Sequence, residues 1–302
     1  MTLDNRIEDS IQERLIFLIS QPRSGSTLLQ KMLESSRDIA STGEPQFMAP
    51  LLSMYDNRLI DARYLLFQNI IALRAFFQET GFDETLIVDA KRAYADTLYG
   101  AILNKLQTRY FLDKSPPYVY IYPKLVEMYP YAKYIILTRN PAAVLSSYAN
   151  TFEITDYNIM NRYEAVMQYE YSHNHMTQGF EYLCQALEHS NSNKFIVRYE
   201  ELVEDPEAVI NKICHYLGVT FESAMINYGE HADAKQRKYT MGDPSVVYAE
   251  SRPQQHRADK WNKRFISQQD RKKFKEALAQ VPPHCFQRLG YSREDTFNAI
   301  FR

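Results

Sequence analysis

The sequence predicts an α/β fold, with a parallel sheet of about four to five strands flanked by helices. The first observation is that short apolar runs recur along the chain, each followed by a polar turn. The second is that the longer segments between them carry apolar residues at three- and four-residue spacing, which is typical of amphipathic helices. The third is length: 302 residues, 45% of them hydrophobic, can bury one large core, so we predict a single domain over 1–302.

The elements follow in order from these patterns. Apolar runs predict buried strands at 15–20, 133–138 and 194–198, and a shorter run opens "YFLDKSPPYVY" before two prolines break the chain. Leu86 to Val88 is predicted as a short extended piece. Pro141 suits a first helical position and Gly218 a helix C-cap. The predicted helices cover 26–36, 58–80, 90–108, 118–129, 142–150, 158–189, 206–217 and 267–280.

Periodicity weakens over 222–262, a stretch that holds Gly, Pro, Tyr and both charge signs. A segment of this length without regular structure inside a compact domain is typical of a functional loop. We therefore predict a lid or acceptor loop at 222–262.

Composition excludes several classes. The net charge of −2 gives no reason to expect a nucleic-acid partner. The charged N-terminus has no apolar signal core, and no run is long enough for a membrane helix, so we expect a cytoplasmic protein without a membrane partner. Cys184, Cys214 and Cys285 are far apart and show no metal-ligand spacing, so we expect no metal.

The stretch "LIFLISQPRSGSTLLQKMLE" runs from an apolar strand through a small polar turn into a helix. Backbone N–H groups at such a turn, together with the partial positive charge of the helix N-terminus, bind phosphate. The groups available for binding are Arg23, Ser24, Gly25, Ser26 and Thr27. The loop is P-loop-like, but it lacks the lysine of G-x-x-x-x-G-K-[ST], and an arginine stands at its front. The alternative is an ordinary Ser/Gly turn.

A second strand-turn-helix unit, "ILTRNPAAVLSSYAN", supplies Arg139 and Ser147. Arg139 extends from a strand end and Ser147 lies about two helical turns later, so both can reach one phosphate. A strand-end charge and a small helix residue are the alternatives when each is taken alone. "VRYEEL" places Tyr199 after a later strand, where its ring offers an aromatic face.

With these motifs in this order over about 15–218, the chain resembles sulfotransferases that use 3′-phosphoadenosine-5′-phosphosulfate (PAPS), in their bacterial natural-product and tyrosylprotein-like branch. The resemblance implies that Pro22 to Thr27 hold the 5′-phosphosulfate and that Arg139 and Ser147 hold the 3′-phosphate. It places Tyr199 beside the adenine. Lys260 in "ADKW" is implied to close over the nucleotide. The product would be 3′-phosphoadenosine-5′-phosphate (PAP).

Sulfuryl transfer resembles phosphoryl transfer, so catalysis should come from in-line positioning and charge stabilisation. Arg23 is the candidate that stabilises the leaving phosphate, and the resemblance adds Lys114 in "LDKSPP", whose alternative role is a helix-capping loop charge. The acceptor must lose a proton, which requires a general base. The resemblance implies Glu44 in "STGEPQFM", and His256 in "QQHRADKW" is the second candidate. Glu44 is preferred for its proximity to the sulfate site; His256 has the better unperturbed pKa.

Two neighbouring histidines, His173 and His175, raise the possibility of a metal site. Being two apart on a predicted helix, they point to different faces, so we take them as surface or core residues.

The predicted function is sulfuryl transfer to a hydroxyl or amine of a small-molecule natural-product acceptor, either free or carrier-bound. One alternative is a P-loop kinase of a small metabolite, which should show a lysine in the first loop and an acidic magnesium ligand. The other is a non-catalytic nucleotide-binding module, which would need the phosphate loops and no base.

Overall fold

A five-stranded, fully parallel sheet forms the centre of the computed structural model. The structure describes residues 11–53, 63–82, 85–151, 162–191, 193–229, 250–257, 260–263 and 265–301. The strands are β1 Leu15–Ser20, β2 Ile39–Ser41, β3 Tyr110–Lys114, β4 Lys133–Thr138 and β5 Lys194–Arg198. Their order in the sheet is β2-β3-β1-β4-β5. The predicted fold class is therefore confirmed.

Helices cover both faces of the sheet. In the first half they are α1 Ser26–Leu33, α2 Met48–Ser53, α3 Arg63–Thr80, α4 Thr85–Leu106, α5 Tyr122–Met128 and α6 Pro141–Thr151. In the second half they are α7 Arg162–Gln168, α8 Glu170–Met176, α9 Gln178–Glu188, α10 Tyr199–Glu204, α11 Pro206–Leu217, α12 Gln268–Leu278, α13 Pro283–Arg288 and α14 Arg293–Asn298. Short 3-10 turns span Pro116–Ile121, Ser223–Met225, Gln255–Arg257 and Lys260–Lys263.

Strand β1 shows why its sequence reads as one continuous apolar run. Phe17 and Ile19 face one core cluster and Ile16 and Leu18 face the other, and all four side chains are fully buried. A parallel strand with helices on both faces has no solvent side, so alternation of apolar and polar residues is lost. β1 is also the central strand, which puts the loop that follows it in the middle of the sheet's carboxyl edge.

Two predicted elements differ in type from the structure. Leu86 to Val88 lie in the first turns of helix α4 and are not extended. The predicted helix 118–129 begins as the 3-10 turn Pro116–Ile121, and α-helical geometry starts only at Tyr122. The three-residue edge strand β2 was not predicted.

The predicted helix 158–189 is three helices, α7 to α9, over its described part. The chain is extended at Tyr169 (φ −77°, ψ 114°) and leaves helical geometry again at Thr177 (φ −111°, ψ −85°). At the first break the Ser172 hydroxyl donates to the carbonyl oxygens of Val166 (2.6 Å) and Tyr169 (3.2 Å). A side-chain donor thus satisfies carbonyl groups at the helix end.

Among the described residues, no helix is both long and apolar enough to cross a bilayer. Most of the predicted lid, 230–249, lies outside the described residues. The tail packs back onto the body: Cys285 and Phe286 are buried, and the Tyr291 hydroxyl donates to Glu200 Oε2 at 2.5 Å.

Candidate active site

One of the residues singled out from the sequence lies at or just after the carboxyl end of each of the five strands. All strands are parallel, so these residues lie at one edge of the sheet. In sheet order the residues are Glu44 after β2, Lys114 ending β3, Arg23 after β1, Arg139 after β4 and Tyr199 after β5. The topology brings segments together that are up to 176 residues apart (199 − 23).

The loop after β1 has a backbone that suits a close approach to an anion. Arg23 (φ 69°) and Gly25 (φ 93°) both adopt left-handed conformations. A Cβ on Gly25 would lie 2.4 Å from two ring carbons of Tyr199, so only glycine fits there. Helix α1 starts directly after Gly25, which directs its first N–H groups toward the edge of the sheet.

The two predicted phosphate-binding units touch each other. Arg139 Nη1 donates to the Arg23 carbonyl oxygen at 2.9 Å, and Arg23 Nε donates to Ser147 Oγ at 3.2 Å. The Arg139 guanidinium also lies over the Tyr199 ring, 4.0 Å from its centroid. Arg23, Arg139, Ser147 and Tyr199 therefore form one contiguous group, with Gly25 against the ring.

Ser24 shows that this group suits an anionic ligand. Its side chain is fully buried, and its hydroxyl oxygen has no hydrogen-bond partner among the described residues. A buried hydroxyl without a partner costs free energy, so such an atom in a phosphate-type loop indicates a ligand contact. Ser26 is buried and Thr27 partly exposed at the start of α1.

Glu44 and Lys114 form a buried ion pair next to that loop. Lys114 Nζ lies 2.6 Å from Glu44 Oε1, and the side chains are 2% and 10% exposed. The second carboxylate oxygen of Glu44 accepts a hydrogen bond from Gln46 Nε2 at 3.1 Å. The pair therefore joins the loops after β2 and β3 and sets a carboxylate beside the central loop.

The candidates near the C-terminus occupy different surroundings. His256 is exposed on the turn Gln255–Arg257, which packs against α10, the helix that begins at Tyr199. Lys260 is partly exposed on the turn Lys260–Lys263, which packs against α6, the helix that carries Ser147. Both turns thus contact the helices that carry Tyr199 and Ser147, while Glu44 lies on the Lys114 side.

The sequence analysis missed an aromatic group beside the ion pair. Two of the predicted site residues act on the pKa of Tyr171. Burial and the charge of Glu44 raise this pKa, and the charge of Arg23 lowers it. The Tyr171 ring packs edge-on against His175 at 4.5 Å, and Tyr120 OH lies 2.9 Å from His175 Nδ1. Burial lowers the pKa of His175 to about 4, so the imidazole is neutral at pH 7. The run "YEYSHNH" was the available signal, but the break before α8 that orients these rings was not predictable.

A second titratable cluster joins α9 to α13. His284 Nε2 lies 2.6 Å from Glu181 Oε2, and the Cys285 thiol lies 3.8 Å from the same oxygen. Cys184 contacts Cys285, although the two are distant in sequence. The side-chain hydrogen bond between Cys184 and Cys285, burial and the charge of Glu181 together raise the pKa of Cys285. The imidazole and the thiol both contact the Glu181 carboxylate, so the cluster is explained as a hydrogen-bonded group that joins the two helices.

Comparison with known proteins shows which family the chain belongs to. A family model described as "Sulfotransferase family" matches residues 15–223. The nodulation protein NoeE of Sinorhizobium fredii is 31% identical over 140 residues, 46% of this chain and 32% of NoeE. A putative protein-tyrosine sulfotransferase of Caenorhabditis briggsae is 23% identical over 220 residues, 72% of this chain and 70% of that protein.

Among solved structures, the sulfotransferase domain from the curacin biosynthetic pathway superimposes with a TM-score of 0.54 at 22% identity. It covers 88% of this chain and 98% of that domain. At this identity the superposition shows a shared fold. The family match covers more than half of the chain, and this protein belongs to the sulfotransferase family.

Proposed function

We propose that the protein transfers a sulfuryl group from PAPS to a hydroxyl or amine of a small-molecule natural-product acceptor. The observation that carries the proposal is the order of charged groups along the sheet edge. Two linked arginines, Arg23 and Arg139, stand on one side, and the Lys114–Glu44 pair stands on the other. Neighbouring segments of the sheet edge thereby provide cations for a polyanionic donor and a carboxylate for the acceptor group that must lose a proton.

The donor assignment is supported by two anion-binding units on adjacent strands. β1 and β4 pair directly, and each is followed by a helix that begins at a turn holding an arginine. PAPS carries phosphate groups on both the 5′ and 3′ positions of its ribose, which suits two separate units. A nucleoside triphosphate concentrates its charge at one position.

The chemistry is assigned to residues as follows. Arg23 stabilises charge on the leaving phosphate, and Lys114 supports the sulfuryl oxygens. Glu44 accepts the acceptor's proton as general base, because its carboxylate is held by Lys114 of β3, the strand next to the central β1. His256 is exposed on the nucleotide side and is the weaker candidate for the base. Tyr199 packs against Gly25 and Arg139, and we propose that its remaining edge contacts the adenine, with Lys260 closing from α6.

The acceptor class is proposed from the relatives and from the aromatic group at Tyr171. NoeE is named as a nodulation protein, and the curacin domain belongs to a biosynthetic pathway. We therefore propose a natural-product acceptor, free or carrier-bound. We also propose a single catalytic domain over 1–302 with a lid at 222–262.

The test is calorimetric titration with PAP and, separately, with ATP and magnesium, on the wild type and on Arg139→Ala. The matched control is Arg198→Ala, because Arg198 also ends a strand and lies over a tyrosine ring, that of Tyr291, at 4.8 Å. We expect PAP to bind, Arg139→Ala to weaken it at least tenfold, a loss of about 1.4 kcal/mol, and Arg198→Ala to leave it unchanged.

Binding of ATP with magnesium in preference to PAP would refute sulfuryl transfer and support the kinase alternative. A non-catalytic module is tested by the double variant Glu44→Gln/His256→Ala with PAPS and a panel of phenols and amines. We expect PAP binding to persist and turnover to be lost. Equal product formation by the double variant and the wild type would show that neither residue acts in catalysis.

A further inference from the structure

The loop that carries Glu44, residues 42–48, has a backbone that needs support from outside. Gln46 lies in the left-handed region (φ 52°), which a residue with a side chain rarely adopts. Such a conformation persists only where the surroundings hold it. Two backbone N–H groups of the loop are held by side-chain hydroxyls: Gln46 N donates to Ser115 Oγ (3.2 Å), and Met48 N donates to Tyr118 OH (3.3 Å).

Both hydroxyls are in turn bound to one carboxylate. Ser115 Oγ donates to Asp113 Oδ1 at 3.1 Å, and Tyr118 OH donates to Asp113 Oδ2 at 3.1 Å. Tyr99 OH, on helix α4, donates to the same Oδ2 at 2.7 Å. Asp113 is 1% exposed, and Ser115, Tyr118 and Tyr99 are fully buried.

The charge of Asp113 decides the direction of these hydrogen bonds. An ionised carboxylate only accepts, so both hydroxyl protons must point toward it. The lone pairs of Ser115 and Tyr118 then face the loop and can accept its N–H groups. We propose that Asp113 is a positioning residue that orients these two hydroxyls and thereby holds the Glu44 loop in its catalytic geometry. This inference rests on the proposed function, because it assigns Glu44 a role in proton transfer.

The ionisation state is consistent with this role. Burial raises the pKa of Asp113 to about 6, while hydrogen bonds from Tyr99, Tyr118 and Ser115 and the charge of Lys114 oppose the rise. The carboxylate is therefore ionised at pH 7 and acts only as an acceptor. Asp113 is also the residue of β3 directly before Lys114, so the partner of Glu44 and the support of its loop belong to the same strand.

A pair of tyrosines provides a matched experiment. Tyr118→Phe and Tyr99→Phe each delete a buried hydroxyl that donates to Asp113 Oδ2. Only Tyr118 also accepts an N–H of the Glu44 loop. The Tyr99 ring packs on Phe47 of that loop at 4.9 Å, and phenylalanine preserves this contact. Both variants then lose one hydroxyl that donates to Asp113. They differ because only Tyr118→Phe also removes the acceptor of Met48 N.

Two readouts are measured on the full chain. The first is hydrogen–deuterium exchange of peptides covering 42–52. The second is turnover with PAPS, with kcat separated from the KM for PAPS. For Tyr118→Phe we expect about tenfold faster exchange in the loop and about tenfold lower kcat, with the KM unchanged, because one buried N–H loses its acceptor. For Tyr99→Phe we expect loop exchange and kcat within about twofold of the wild type.

Ser115→Ala provides a second, independent variant that removes the acceptor of Gln46 N, and we expect it to behave like Tyr118→Phe. Equal effects of Tyr118→Phe and Tyr99→Phe on loop exchange would overturn the proposal, because Asp113 would then only support the core. Unchanged exchange in both variants would overturn it as well. The exchange arm needs no sulfuryl transfer, so a failure of the proposed function appears separately, as a wild type without turnover.

Discussion

The Glu44–Lys114 pair allows stability and catalysis to be separated by a double-mutant cycle. The pair is buried, with its charged atoms 2.6 Å apart. Replacing one member leaves an uncompensated buried charge, which typically costs about 3 kcal/mol or slightly more. We expect Glu44→Gln and Lys114→Met each to lower the free energy of unfolding by about 3 kcal/mol, or the Tm by about 6 °C for a chain of this size.

The double variant removes both charges and leaves neither uncompensated, so its loss should be smaller than that of either single variant. The free energies would then be non-additive by more than about 3 kcal/mol. Activity should behave differently. Because a general base contributes about 10²- to 10⁴-fold, we expect Glu44→Gln to lose at least a hundredfold in kcat, and the double variant to recover none of it. Urea unfolding and PAPS turnover are measured on the same four proteins.

Lys31 and Glu34 offer a control pair, also 2.6 Å apart and 2% and 3% exposed, near the C-terminal end of α1 and away from the sheet edge. A double-mutant cycle on this control pair should show a comparable coupling in the free energy of unfolding, while its variants retain activity. If the Glu44–Lys114 double variant regains activity together with stability, the pair serves folding alone. If Glu44→Gln stays folded and keeps turnover within tenfold of the wild type, the general-base assignment is wrong.

Two further predictions concern the loop after β1 and the buried imidazole. Gly25→Ala should abolish detectable PAP binding in calorimetry, because the new methyl group would meet Tyr199 at 2.4 Å; Gly81→Ala, at φ 73° with no atom within 4 Å of the new Cβ, carries only backbone strain and should bind normally. The pKa of His175 is lowered to about 4, so the unfolded chain binds its proton more tightly and stability falls as pH drops from about 6.5 toward 4. The loss from this group should reach about 3 kcal/mol by pH 4, and urea unfolding of His175→Gln should lack that part of the acid slope; an identical slope in both proteins would contradict the assignment.

How much of the fold could be predicted depended on element length. Strands of six residues, such as β1 and β4, have an uninterrupted apolar centre and end at polar turns, so their bounds were predicted correctly. β2 has only Ile39, Ala40 and Ser41, too short to show a pattern. The apolar run Leu86 to Val88 misled, because its β-branched residues sit on a half-exposed helix start where packing does not enforce extension.

The site residues could be predicted where a short sequence motif contained them, and their long-range contacts could not. The phosphate loops and the Arg139 to Ser147 spacing are local motifs, and the structure brings those residues together. The hydrogen bond from Arg139 to the Arg23 carbonyl depends on β4 pairing with β1, which no local pattern reveals. Asp113 was invisible for a related reason: one carboxylate in an apolar strand gives no sign of the three hydroxyls that the fold delivers to it.

The strand order explains why the two arginines and the Glu44–Lys114 pair occupy different parts of the sheet edge. The chain runs from central β1 outward to β2, back to β3, and only then to β4 and β5 on the other side. The point where the direction of winding reverses lies between the loops of Arg23 and Arg139, which is where α/β sheets open a crevice for ligands. Glu44 enters from the β2 edge, and Lys114 pairs with its carboxylate from β3, the strand that lies between β2 and the central β1. The topology therefore places a cation between the proposed base and the proposed anion-binding loop.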